Sequence, residues 1–458
     1  MQVACRTKNV NKYYKVIAEV GSGTYGKVYK AKCIKTKDFV ALKKIDTKDQ
    51  KIMSEGFPIT AIREIKLLKI MNHKNILRLR EIIVSKASHR NNFRGSTFLV
   101  FDYYDHDFAG LHRQRNIFTL PQLKCIFKQL LEGVKYLHDS KIIHRDLKCA
   151  NILMNNKGQV TLADFGLART LSNVSNPKYT YKVVTLWYRA PELLLGQTNY
   201  NTQIDMWSLG CIFTELITGD VLFKGDIEYR QMEKIYELCG SANEQNWPNC
   251  INLRQWEEFK PRRNYETQLI KHIKELCQTQ NKQIDQITLD LIEQLLILDP
   301  NKRLNAAQAL NHEFFKQDPK PCQPNEMPQF DKEFHETLLK NEIRQQQHRN
   351  DKAQFRPQQI SSQKFQKLIK DERNLIKPQV QQQSPSKDIK NNIELDYGEL
   401  LKFEIQDKER IKNNIEFDNR ELLKFEIQDK EKIKNNIELD YGELLKFEIQ
   451  DKKRIKLN

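Results

Sequence analysis

Apolar and polar side chains alternate along residues 14–45, on both sides of a cluster of glycines. An alternation with a period of two predicts β-strands that bury one face. From residue 59 to 71, the stretch ITAIREIKLLKIM has apolar residues three and four positions apart, which predicts a helix. The run TFLVF at 97–101 predicts a further strand. The first part of the chain is therefore predicted to form a small, sheet-rich unit with one main helix.

The hydrophobic pattern changes after the acidic stretch DYYDHD. In residues 121–138 and 204–219 the apolar positions recur mainly with the helical period. This predicts a larger helical unit over residues 105–316, which follows a sheet-rich unit over residues 1–104. The expected fold class is therefore α+β, with two lobes of unequal size.

Beyond residue 316 the chain becomes rich in Gln, Lys and Pro, and it contains the runs QQQHR and QQQSPS. A segment of this composition cannot bury enough apolar surface to form a core of its own. We therefore expect residues 317–388 to form a flexible, low-complexity tail.

Residues 389–458 contain a tandem repeat of 22 residues. Its three units begin at Ile389, Ile411 and Ile433. Twenty-two is twice eleven, and an eleven-residue period keeps apolar positions on one stripe of a long helix. The segment IELDYGELLKFEI also alternates with a period of two around a glycine, which suits a hairpin. Both structures stay open, and the repeat is either a duplicated segment with little function or a binding or self-associating array.

The formal net charge of +17 is concentrated near the start of the 458-residue chain. Residues 1–100 contain 22 Lys and Arg against 7 Asp and Glu, a net charge of +15. A basic surface of this kind attracts nucleic acids or acidic partners. No zinc-finger or RNP motif accompanies it, and a basic surface is more often simply solvated. We do not expect direct binding to nucleic acid.

The nine cysteines are scattered singly and form no CxxC pair, which is evidence against a disulfide framework or a zinc site. We expect reduced, mostly buried thiols. No apolar run approaches the about 18 residues that a membrane-spanning helix needs, and the first residues lack the apolar stretch of a signal peptide. The expected location is the nucleus or the cytoplasm, without membrane attachment.

A glycine-rich motif, GSGTYGKV, lies among the first predicted strands. Its glycines Gly21, Gly23 and Gly26 let backbone amides approach phosphate groups without interference from a Cβ atom. Lys43 follows in VALKK, and Glu64 lies on the predicted helix. An ammonium group that binds the α- and β-phosphates can thus have a carboxylate that orients it. Each feature alone is a weak signal, and their order along the chain strengthens it.

The strongest chemical signal lies in the predicted helical unit. The motif HRDLKCAN places Asp146 and Asn151 five residues apart, as in a catalytic loop where Asp orients a substrate hydroxyl and Asn binds a metal. Asp164 follows in DFG and can supply a second metal-binding group, and APE at 190–192 closes the segment. In order and spacing, these motifs resemble the eukaryotic protein kinases over about 300 residues. The resemblance implies the bilobal kinase fold.

The resemblance also implies a kinase that uses ATP and Mg²⁺ as cofactors. Asp146 would act as the catalytic base, Lys148 would steady the γ-phosphate, and Thr185 would bridge these two residues. Asn151 and Asp164 would bind magnesium.

Other positions are implied to hold the nucleotide or the fold. Lys43 and Glu64 would form the ion pair that marks the active state, and Glu192 and Arg303 would form a structural ion pair. Further nucleotide contacts are implied in the glycine-rich strands, the hinge and the apolar walls, namely Val20, Gly21, Gly23, Gly26, Val28, Ala41, Phe101, Asp102, Tyr104 and Leu153.

The predicted helix and the segment before APE narrow the resemblance. PITAIRE at 58–64 is similar to the cyclin-binding helix of the cyclin-dependent kinases, which implies a cyclin as partner. Thr180 lies where that family receives an activating phosphate from another kinase. Three arginines would bind this phosphate, namely Arg63, Arg145 and Arg169. Thr24 and Tyr25 match inhibitory phosphorylation sites of cell-cycle members, but relatives without that control have the same residues, so this regulation stays open.

Loop sequences such as HRDLKCANIL and DPKPCQPNEMP resemble the transcription-elongation branch of this family, which includes the positive elongation factor b kinase and the plant C-type kinases. Cell-cycle members have an acidic residue two positions after the activating threonine, which attracts a basic residue at the third position after the phosphoacceptor. Lys182 stands there in this chain and would repel that residue. Ser-Pro sites without a following lysine fit the heptad repeats of RNA polymerase II. We therefore expect that substrate and a nuclear location.

Two other functions stay open on the sequence. A cell-cycle kinase would prefer substrates with the basic third position and would bind a mitotic cyclin. A scaffold without catalysis would act through the C-terminal repeats, although no residue of the kinase set is missing. The preferred hypothesis is an active, cyclin-dependent kinase of transcription elongation.

Overall fold

The computed structural model describes residues 4–6, 10–23, 26–45, 59–85, 96–114, 117–171 and 178–340, with isolated helical positions at 343 and 347. The chain divides into two compact units, Met1–Arg356 and Pro357–Asn458. The second unit, which includes the predicted repeats, lies outside the described residues. The first unit contains both predicted lobes.

The small lobe contains a six-stranded sheet. Its strands are Ala4–Arg6 (β1), Tyr14–Gly23 (β2), Gly26–Cys33 (β3), Phe39–Ile45 (β4), Leu79–Val84 (β5) and Thr97–Asp102 (β6). They pair in the order β1–β5–β6–β4–β3–β2, and only the β1–β5 pair among them is parallel. Alternate side chains of a strand point to opposite faces. Val40 and Leu42 therefore pack with Tyr14 on one face, whereas Ile45 belongs to the main core on the other.

One helix, α1 (Ile59–Ile70), accompanies this sheet, as the apolar spacing predicts. Glu64 and Leu67 are buried on its inner face, where the helical period brings them together. Ile62 and Ile70 are exposed on the opposite side, by 39% and 71%. The helix thus has an inner face that reaches the protein core and an outer face with uncovered apolar side chains.

The large lobe is mainly helical, as predicted. Its helices are Phe108–His112 (α2), Leu120–Asp139 (α3), Pro191–Leu194 (α4), Gln203–Thr218 (α5), Glu228–Cys239 (α6), Trp256–Phe259 (α7), Leu269–Thr279 (α8), Gln286–Leu295 (α9) and Ala306–Leu310 (α10). Thr119 and Gln122 form a capping box that begins α3. Nearly every side chain of α5 is buried, because α3, α8 and α9 pack around it. The rings of Phe127 and Phe213 stack at 4.0 Å and join α3 to α5.

Short strands connect the loops of the large lobe that face the small lobe. They are His106–Asp107 (β7), Ile142–Ile143 (β8), Ile152–Met154 (β9), Val160–Leu162 (β10) and Arg169–Thr170 (β11). Strand β9 pairs with β7 and β10, and β8 pairs with β11. Because β9 follows HRDLKCAN and β10 precedes DFG, their pairing holds these two motifs side by side.

Residues 317–340, which we call the C-terminal strap, pack against the large lobe. Lys124 on α3 donates a hydrogen bond to the carbonyl oxygen of Gln317 (3.0 Å). The backbone N–H of Cys322 donates to the carbonyl oxygen of Pro121 (3.1 Å). These contacts fix the start of the strap to the first turns of α3.

Two glycines of the large lobe leave room for the strap. Gly158 has a φ of +71°, and a Cβ atom there would lie 1.8 Å from the carbonyl oxygen of Pro324. A Cβ atom at Gly110 would lie 2.5 Å from the carbonyl oxygen of Phe334. Only glycine permits such close backbone approach. The expectation of a flexible tail from residue 317 is therefore wrong for residues 317–340, which belong to the folded unit.

The cysteine side chains that the structure describes are eight free thiols. Burial holds the pKa of Cys149 and Cys211 well above the usual value, so both stay protonated at neutral pH. They act as small apolar groups of the core. Among the described helices, none is long and apolar enough to cross a membrane.

Candidate active site

A cleft of about 550 Å³ lies between the two lobes. The small-lobe sheet forms its roof, and the loops around β9 and β10 form its floor. The predicted site residues that line it are Val20, Gly21, Gly26, Val28, Ala41, Lys43, Glu64, Phe101, Asp102, Tyr104, Asp146, Lys148, Asn151, Leu153 and Asp164. Gly23 lies at the end of β2. Thr24 and Tyr25 lie outside the described residues.

Lys43 on β4 joins three elements through its ammonium group. Its Nζ lies 2.8 and 3.1 Å from the carboxylate oxygens of Glu64 on α1, and 3.1 Å from Oδ1 of Asp164. Burial lowers the pKa of a lysine, but the charges of Glu64 and Asp164 outweigh burial and raise the pKa of Lys43. A fixed positive charge therefore lies at the roof of the cleft.

The two carboxylates that share Lys43 differ in their surroundings. The side chain of Glu64 is only 2% exposed, and burial, with the charge of Asp164, raises its pKa in spite of Lys43. The side chain of Asp164 is 40% exposed. Burial raises its pKa, but the charge and hydrogen bond of Lys43 outweigh burial and lower it. Asp164 is thus the carboxylate that stays ionised and open to the cleft.

Asp146 is the centre of a hydrogen-bonded cluster at the floor of the cleft. Lys148 Nζ lies 2.7 Å from Asp146 Oδ2, and Thr185 Oγ1 donates to Asp146 Oδ1 at 3.0 Å. Lys148 Nζ also donates to Thr185 Oγ1 at 3.3 Å. The structure thus brings these three predicted residues together, with Thr185 between the other two. Together they hold the carboxylate of Asp146 in one orientation.

Asn151 lies in a 3₁₀ turn, Cys149–Asn151, directly before β9. Its amide nitrogen donates to the carbonyl oxygen of Asp146 at 2.8 Å and to Oδ2 of Asp146 at 3.1 Å. Because the nitrogen is committed to Asp146, the amide oxygen is the atom that can bind a metal. An amide oxygen from Asn151 and a carboxylate from Asp164 are hard oxygen ligands of the kind that Mg²⁺ prefers. The residues present therefore fit a magnesium ion.

A buried carboxylate on α5 holds the catalytic loop, and the sequence analysis did not identify it. Asp205 accepts hydrogen bonds from the backbone N–H groups of His144 and Arg145, both at 2.9 Å, and contacts Nε2 of His138 at 3.0 Å. Burial raises the pKa of Asp205, but the hydrogen bond and charge of His138 and the charge of His144 lower it overall. Arg145 has a φ of +67°, a rare conformation for a residue with a side chain. A fixed charge in the lobe centre therefore holds the turn before Asp146.

Thr180 is exposed on the segment that precedes APE. Its carbonyl oxygen accepts a hydrogen bond from the hydroxyl of Tyr200 at 2.6 Å. That hydroxyl in turn accepts a hydrogen bond from Nη1 of Arg145 at 3.0 Å. The arginine of the catalytic loop is therefore connected to the backbone of Thr180.

The other two arginines predicted to bind a phosphate at Thr180 lie on different elements. The guanidinium of Arg169 is 5.0 Å from the ring centroid of Tyr179, the residue before Thr180. Arg63 is half-buried on α1, the helix that also presents Glu64 to the cleft. The three arginines thus come from the catalytic loop, the strand after DFG, and the helix of the small lobe.

The segment after Thr180 has an unusual backbone conformation at Val184, which has a φ of +69°. Its carbonyl oxygen accepts hydrogen bonds from Nη2 and Nε of Arg189 at 3.1 and 3.4 Å. The left-handed conformation is rare for a β-branched residue. The guanidinium group of Arg189 therefore uses the hydrogen-bonding capacity of the Val184 carbonyl oxygen, directly before Thr185. Lys182 is exposed two positions earlier.

The glutamate of APE forms a buried ion pair, as predicted. Two parallel hydrogen bonds of 2.9 and 3.1 Å join Arg303 to Glu192, whose side chains are 0% and 1% exposed. Arg303 also donates to the backbone carbonyl oxygens of Ile297, Leu298 and Gln203. This pair lies in the core of the large lobe and does not line the cleft.

The strap supplies three cleft residues that the sequence analysis missed, His335, Glu336 and Thr337. The N–H of Glu336 donates to Oδ2 of Asp107 at 2.9 Å, which fixes the strap beside β7. No local motif marks these residues, and they are more than 200 positions away from the hinge in sequence. The other unpredicted lining residues are Leu77, Tyr103, Asp107, Ala150, Ala163, Gly166 and Leu167.

Comparisons with known proteins show which family the chain resembles. The family model for the protein kinase domain matches residues 14–315. Cyclin-dependent kinase C-1 of Oryza sativa subsp. japonica is 44% identical over 350 residues, which cover 74% of this chain and 65% of that protein. Cyclin-dependent kinase 9 of Homo sapiens is 44% identical over 316 residues, which cover 68% of this chain and 82% of that protein. The chain thus spans slightly less than two thirds of the length of the plant relative.

A solved structure is also similar, the crystal structure of the yeast RNA Pol II CTD kinase CTDK-1 complex. The TM-score is 0.60 at 38% sequence identity, and the match covers 70% of this chain and 97% of that chain. Because the similarity includes nearly all of that chain, it extends over both lobes.

Proposed function

This chain belongs to the protein kinase family, in its cyclin-dependent branch, and we propose that it is a Ser/Thr kinase of transcription elongation. It transfers the γ-phosphoryl group of ATP to serine or threonine residues that precede proline. The observation that carries the proposal is that two charge clusters face one cleft. Lys43 with Glu64 and Asp164 lies at the roof, and Asp146 with Lys148 lies at the floor.

Asp146 orients the hydroxyl group of the substrate and accepts its proton. A general base needs one fixed orientation within hydrogen-bond reach of the proton that it takes. The contacts from Lys148 and Thr185 supply that orientation. The ammonium group of Lys148 also lies where it can balance negative charge on the phosphoryl group.

Lys43 binds the α- and β-phosphates, and Glu64 keeps its ammonium group in place. The glycines at Gly21 and Gly26 let the backbone of β2 and β3 approach the phosphates. Asn151 and Asp164 would hold Mg²⁺, which would neutralise charge on the phosphates. In this arrangement the protein positions the reacting groups and stabilises charge, and it forms no covalent bond with the substrate.

A cyclin is proposed as the partner of α1. The exposed Ile62 and Ile70 offer an apolar surface on the outer face of this helix, and Glu64 lies on the inner face. Docking of a partner on one face therefore restrains the carboxylate that orients Lys43. The names of the relatives, which are cyclin-dependent kinases, support this partner. Pro58, the first residue of PITAIRE, lies outside the described part of the chain.

A second kinase activates the enzyme by phosphorylating Thr180. A phosphate group adds up to two negative charges and several acceptor oxygens, and arginines are its strongest partners. Arg145 and Arg169 already contact the neighbours of Thr180. Arg63 lies on the cyclin-binding helix, so the phosphate and the cyclin favour the same position of α1.

The site selects proline after the phosphoacceptor. The carbonyl oxygen of Val184, directly before Thr185, already accepts two hydrogen bonds from Arg189. It therefore cannot accept a further hydrogen bond from the backbone of a bound peptide. A residue with a free N–H would leave that donor without a partner, at a cost of about 1–3 kcal/mol. Proline has no N–H group and loses nothing.

The proposed substrate is the heptad repeat of the largest RNA polymerase II subunit, and the proposed location is the nucleus. The exposed Lys182 repels a basic residue at the third position after the phosphoacceptor. The heptads contain Ser-Pro sites without such a residue. The similar yeast structure is, by its title, an RNA Pol II CTD kinase, which supports the same substrate class.

The test is to capture the full chain with its cyclin and to compare a heptad peptide with a Ser-Pro peptide that has lysine at the third following position. We expect faster phosphorylation of the heptad peptide. A Lys182→Glu variant should shift the ratio of rates toward the lysine peptide by about tenfold or less. A preference of the unchanged enzyme for the lysine peptide would favour a cell-cycle kinase instead.

Asp146→Asn provides the control for contaminating kinases. It should abolish phosphorylation of both peptides while the captured complex keeps its cyclin. If both peptides were still phosphorylated at the unchanged rate, this chain would not be the catalyst, and a scaffold that acts through the C-terminal repeats would explain the complex better.

A further inference from the structure

A fully buried glutamine connects the segment before α6 to the segment before APE. Gln231 lies on α6 and is 0% exposed. The backbone N–H of Gly225 donates to Oε1 of Gln231 at 2.9 Å, and Nε2 of Gln231 donates to the carbonyl oxygen of Trp187 at 3.3 Å. The indole N–H of Trp187 donates to the carbonyl oxygen of Gly225 at 2.8 Å. Three hydrogen bonds therefore join these three residues in a closed ring.

The close packing at Gly225 makes this arrangement specific for glutamine. A Cβ atom at Gly225 would lie 2.6 Å from both the backbone nitrogen and the Cα atom of Gln231, an approach that only glycine permits. The side-chain amide has both an acceptor and a donor, whereas an ionised carboxylate has only acceptors. A buried backbone group without a partner destabilises the fold. Glutamine therefore satisfies both backbone groups, and glutamate would satisfy only one.

Trp187 belongs to the segment Val184–Arg189, which we call the proline-selecting turn. Its middle part, Leu186–Tyr188, is a 3₁₀ turn. The proposed preference for proline depends on the left-handed conformation of Val184 and on the hydrogen bonds from Arg189 to its carbonyl oxygen. A β-branched residue keeps such a conformation only when the surrounding contacts enforce it. The hydrogen bond from Gln231 to the carbonyl oxygen of Trp187 is one of these contacts.

A second contact from α6 holds the end of the same turn. Nη1 of Arg189 forms an ion pair with Oε1 of Glu228, and their side chains are 13% and 33% exposed. Glu228 and Gln231 are three residues apart on α6, so the helical period places them on one face. One face of α6 therefore binds the proline-selecting turn at Trp187 and at Arg189.

We propose that Gln231, together with Glu228, is a positioning residue for the selection of proline. Because Gln231 is buried, it acts on the substrate through the backbone of the proline-selecting turn. It keeps Val184 in the left-handed conformation, with the carbonyl oxygen directed to Arg189. When this support is lost, the carbonyl oxygen becomes available to the N–H of a residue other than proline, and the preference for proline falls. This inference rests on the proposed selection of Ser-Pro sites.

The test compares a heptad peptide with the same peptide in which alanine replaces the proline after the phosphoacceptor. The full chain in complex with its cyclin is used, and kcat/KM is measured for both peptides. Gln231→Leu removes both side-chain hydrogen bonds at a similar volume. We expect the ratio of the two kcat/KM values to fall about tenfold, the typical effect of one hydrogen bond to a buried group. A general loss of activity would lower both values and leave their ratio unchanged.

Two smaller changes keep the test valid if Gln231→Leu fails to fold. Gln231→Glu keeps the acceptor for Gly225 and loses the donor to Trp187, so the ratio should fall by less than in Gln231→Leu. Glu228→Gln keeps the shape of the side chain and removes its charge, and it should give the smallest decrease. The KM for ATP should stay within a factor of two, roughly the error of such assays, because the turn contacts the peptide and not the nucleotide.

A second buried glutamine provides the matched control. Gln129 on α3 is 7% exposed, and it also bridges two backbone groups. Its Oε1 accepts from the N–H of Val160 at 3.0 Å, and its Nε2 donates to the carbonyl oxygen of Gly158 at 3.0 Å. Gln129→Leu should lower the thermal unfolding midpoint about as much as Gln231→Leu does. It should leave the preference for proline unchanged, because it contacts no part of the proline-selecting turn.

Two outcomes would overturn the inference. One is an unchanged preference for proline in both Gln231→Leu and Glu228→Gln. The other is a decrease in Gln129→Leu as large as that in Gln231→Leu, which would attribute the effect to a general loss of stability. If the unchanged complex phosphorylated the alanine peptide as fast as the proline peptide, the proposed selection of Ser-Pro sites would itself be wrong.

Discussion

Two buried ion pairs of this kinase make opposite use of their charges. Arg303 and Glu192 bond through two parallel hydrogen bonds, and backbone carbonyl groups accept from the guanidinium as well. Lys43 and Glu64 also bond closely, but Asp164 joins them, so that the cluster has one cation and two carboxylates. In the first pair, one positive and one negative charge balance each other within the core. The second cluster has one more negative than positive charge, and it faces the cleft.

The difference shows how to separate a structural ion pair from a functional one without knowledge of the ligand. An ion pair whose charges already balance is not stabilised by binding a further ion. A pair with a surplus carboxylate at a cavity attracts a cation, and its ammonium group remains near enough to the cavity to bind an anion. Mg²⁺ with the phosphates of ATP would supply both. We therefore expect substitutions in the two pairs to separate activity from stability.

The largest expected effect is on the catalytic rate of Lys43→Met. The variant loses the cation that holds the phosphates, and we expect kcat/KM to fall about 10²- to 10³-fold. Stability should fall less than in variants of the Arg303 pair, because the buried Glu64 can take up a proton when its partner is removed. Steady-state kinetics and thermal unfolding of the same preparation measure both quantities. A loss of stability as large as that of Arg303→Met would contradict the distinction.

The largest expected effect on stability comes from Arg303→Met. The substitution leaves the carboxyl group of Glu192 buried without its partner, and we expect the free energy of unfolding to fall by about 3–5 kcal/mol. The folded fraction should retain its catalytic rate, because the pair does not line the cleft. Urea unfolding and active-site titration check the two statements. Replacing both residues, as in Arg303→Met with Glu192→Leu, should recover part of the stability.

The pH dependence of Glu64 sharpens the comparison, because its pKa is raised by burial. As the pH falls, Glu64 is protonated above the usual glutamic acid value of about 4.3, and Lys43 loses its partner. We therefore expect kcat/KM to fall on the acid side at a pH above that value. The folded state binds this proton more tightly than the unfolded state. The stabilising contribution of Glu64 is thus present below about pH 4.3 and is lost as the pH rises through the folded-state pKa.

Activity and stability should therefore change in opposite directions with pH at this one site. The measurement is a pH profile of kcat/KM and of the unfolding midpoint for the unchanged enzyme and for Glu64→Gln. The variant has no carboxyl group to titrate at this position, so its difference from the unchanged enzyme should depend on pH in both assays. A difference that is constant from pH 4 to 8, a window of roughly four units around the usual acidic and neutral values, would contradict the raised pKa.

The smallest effect is expected for an exposed ion pair, with which the effects at the two buried pairs can be compared. Lys135 and Asp139 lie four residues apart on α3, with side chains 42% and 63% exposed. Asp139→Asn should change the free energy of unfolding by no more than about 0.5 kcal/mol, and high salt should reduce even this change. Catalytic rates should be unaffected. A larger effect would mean that the exposure of the side chains does not predict how much an ion pair contributes to the stability of this protein.

Features that depend on neighbouring residues could be predicted from the sequence. The alternation in β4 and the helical spacing in α1 determine which side chains are buried, so the positions of Lys43 and Glu64 follow from the pattern. The five-residue spacing of Asp146 and Asn151 likewise predicts a catalytic loop, and the structure brings these two side chains together. The Glu192–Arg303 contact spans 111 positions, and it was accessible only through the resemblance to a known family.

Features that depend on distant contacts could not be predicted in this way. Lys30 on β3 and Glu333 in the strap form an ion pair although they are 303 positions apart, and neither belongs to a motif. The strap lies in a region of polar composition, which conceals a few apolar side chains that pack on the core, such as Met327, Phe330 and Phe334. Asp205 was missed for another reason, because one carboxylate in an apolar helix gives no pattern of its own. Burial of a charge is visible only once the fold has brought its partners together.

The strap changes what counts as the complete enzyme. The protein kinase family model ends at residue 315, but one wall of the cleft, at His335–Thr337, lies beyond that boundary. A protein shortened to the family match would lack this wall and would leave the grooves at Gly110 and Gly158 uncovered. Inhibitors selected against such a fragment would be optimised for an incomplete pocket. Compounds that contact the strap would instead use residues that lie outside the matched kinase domain.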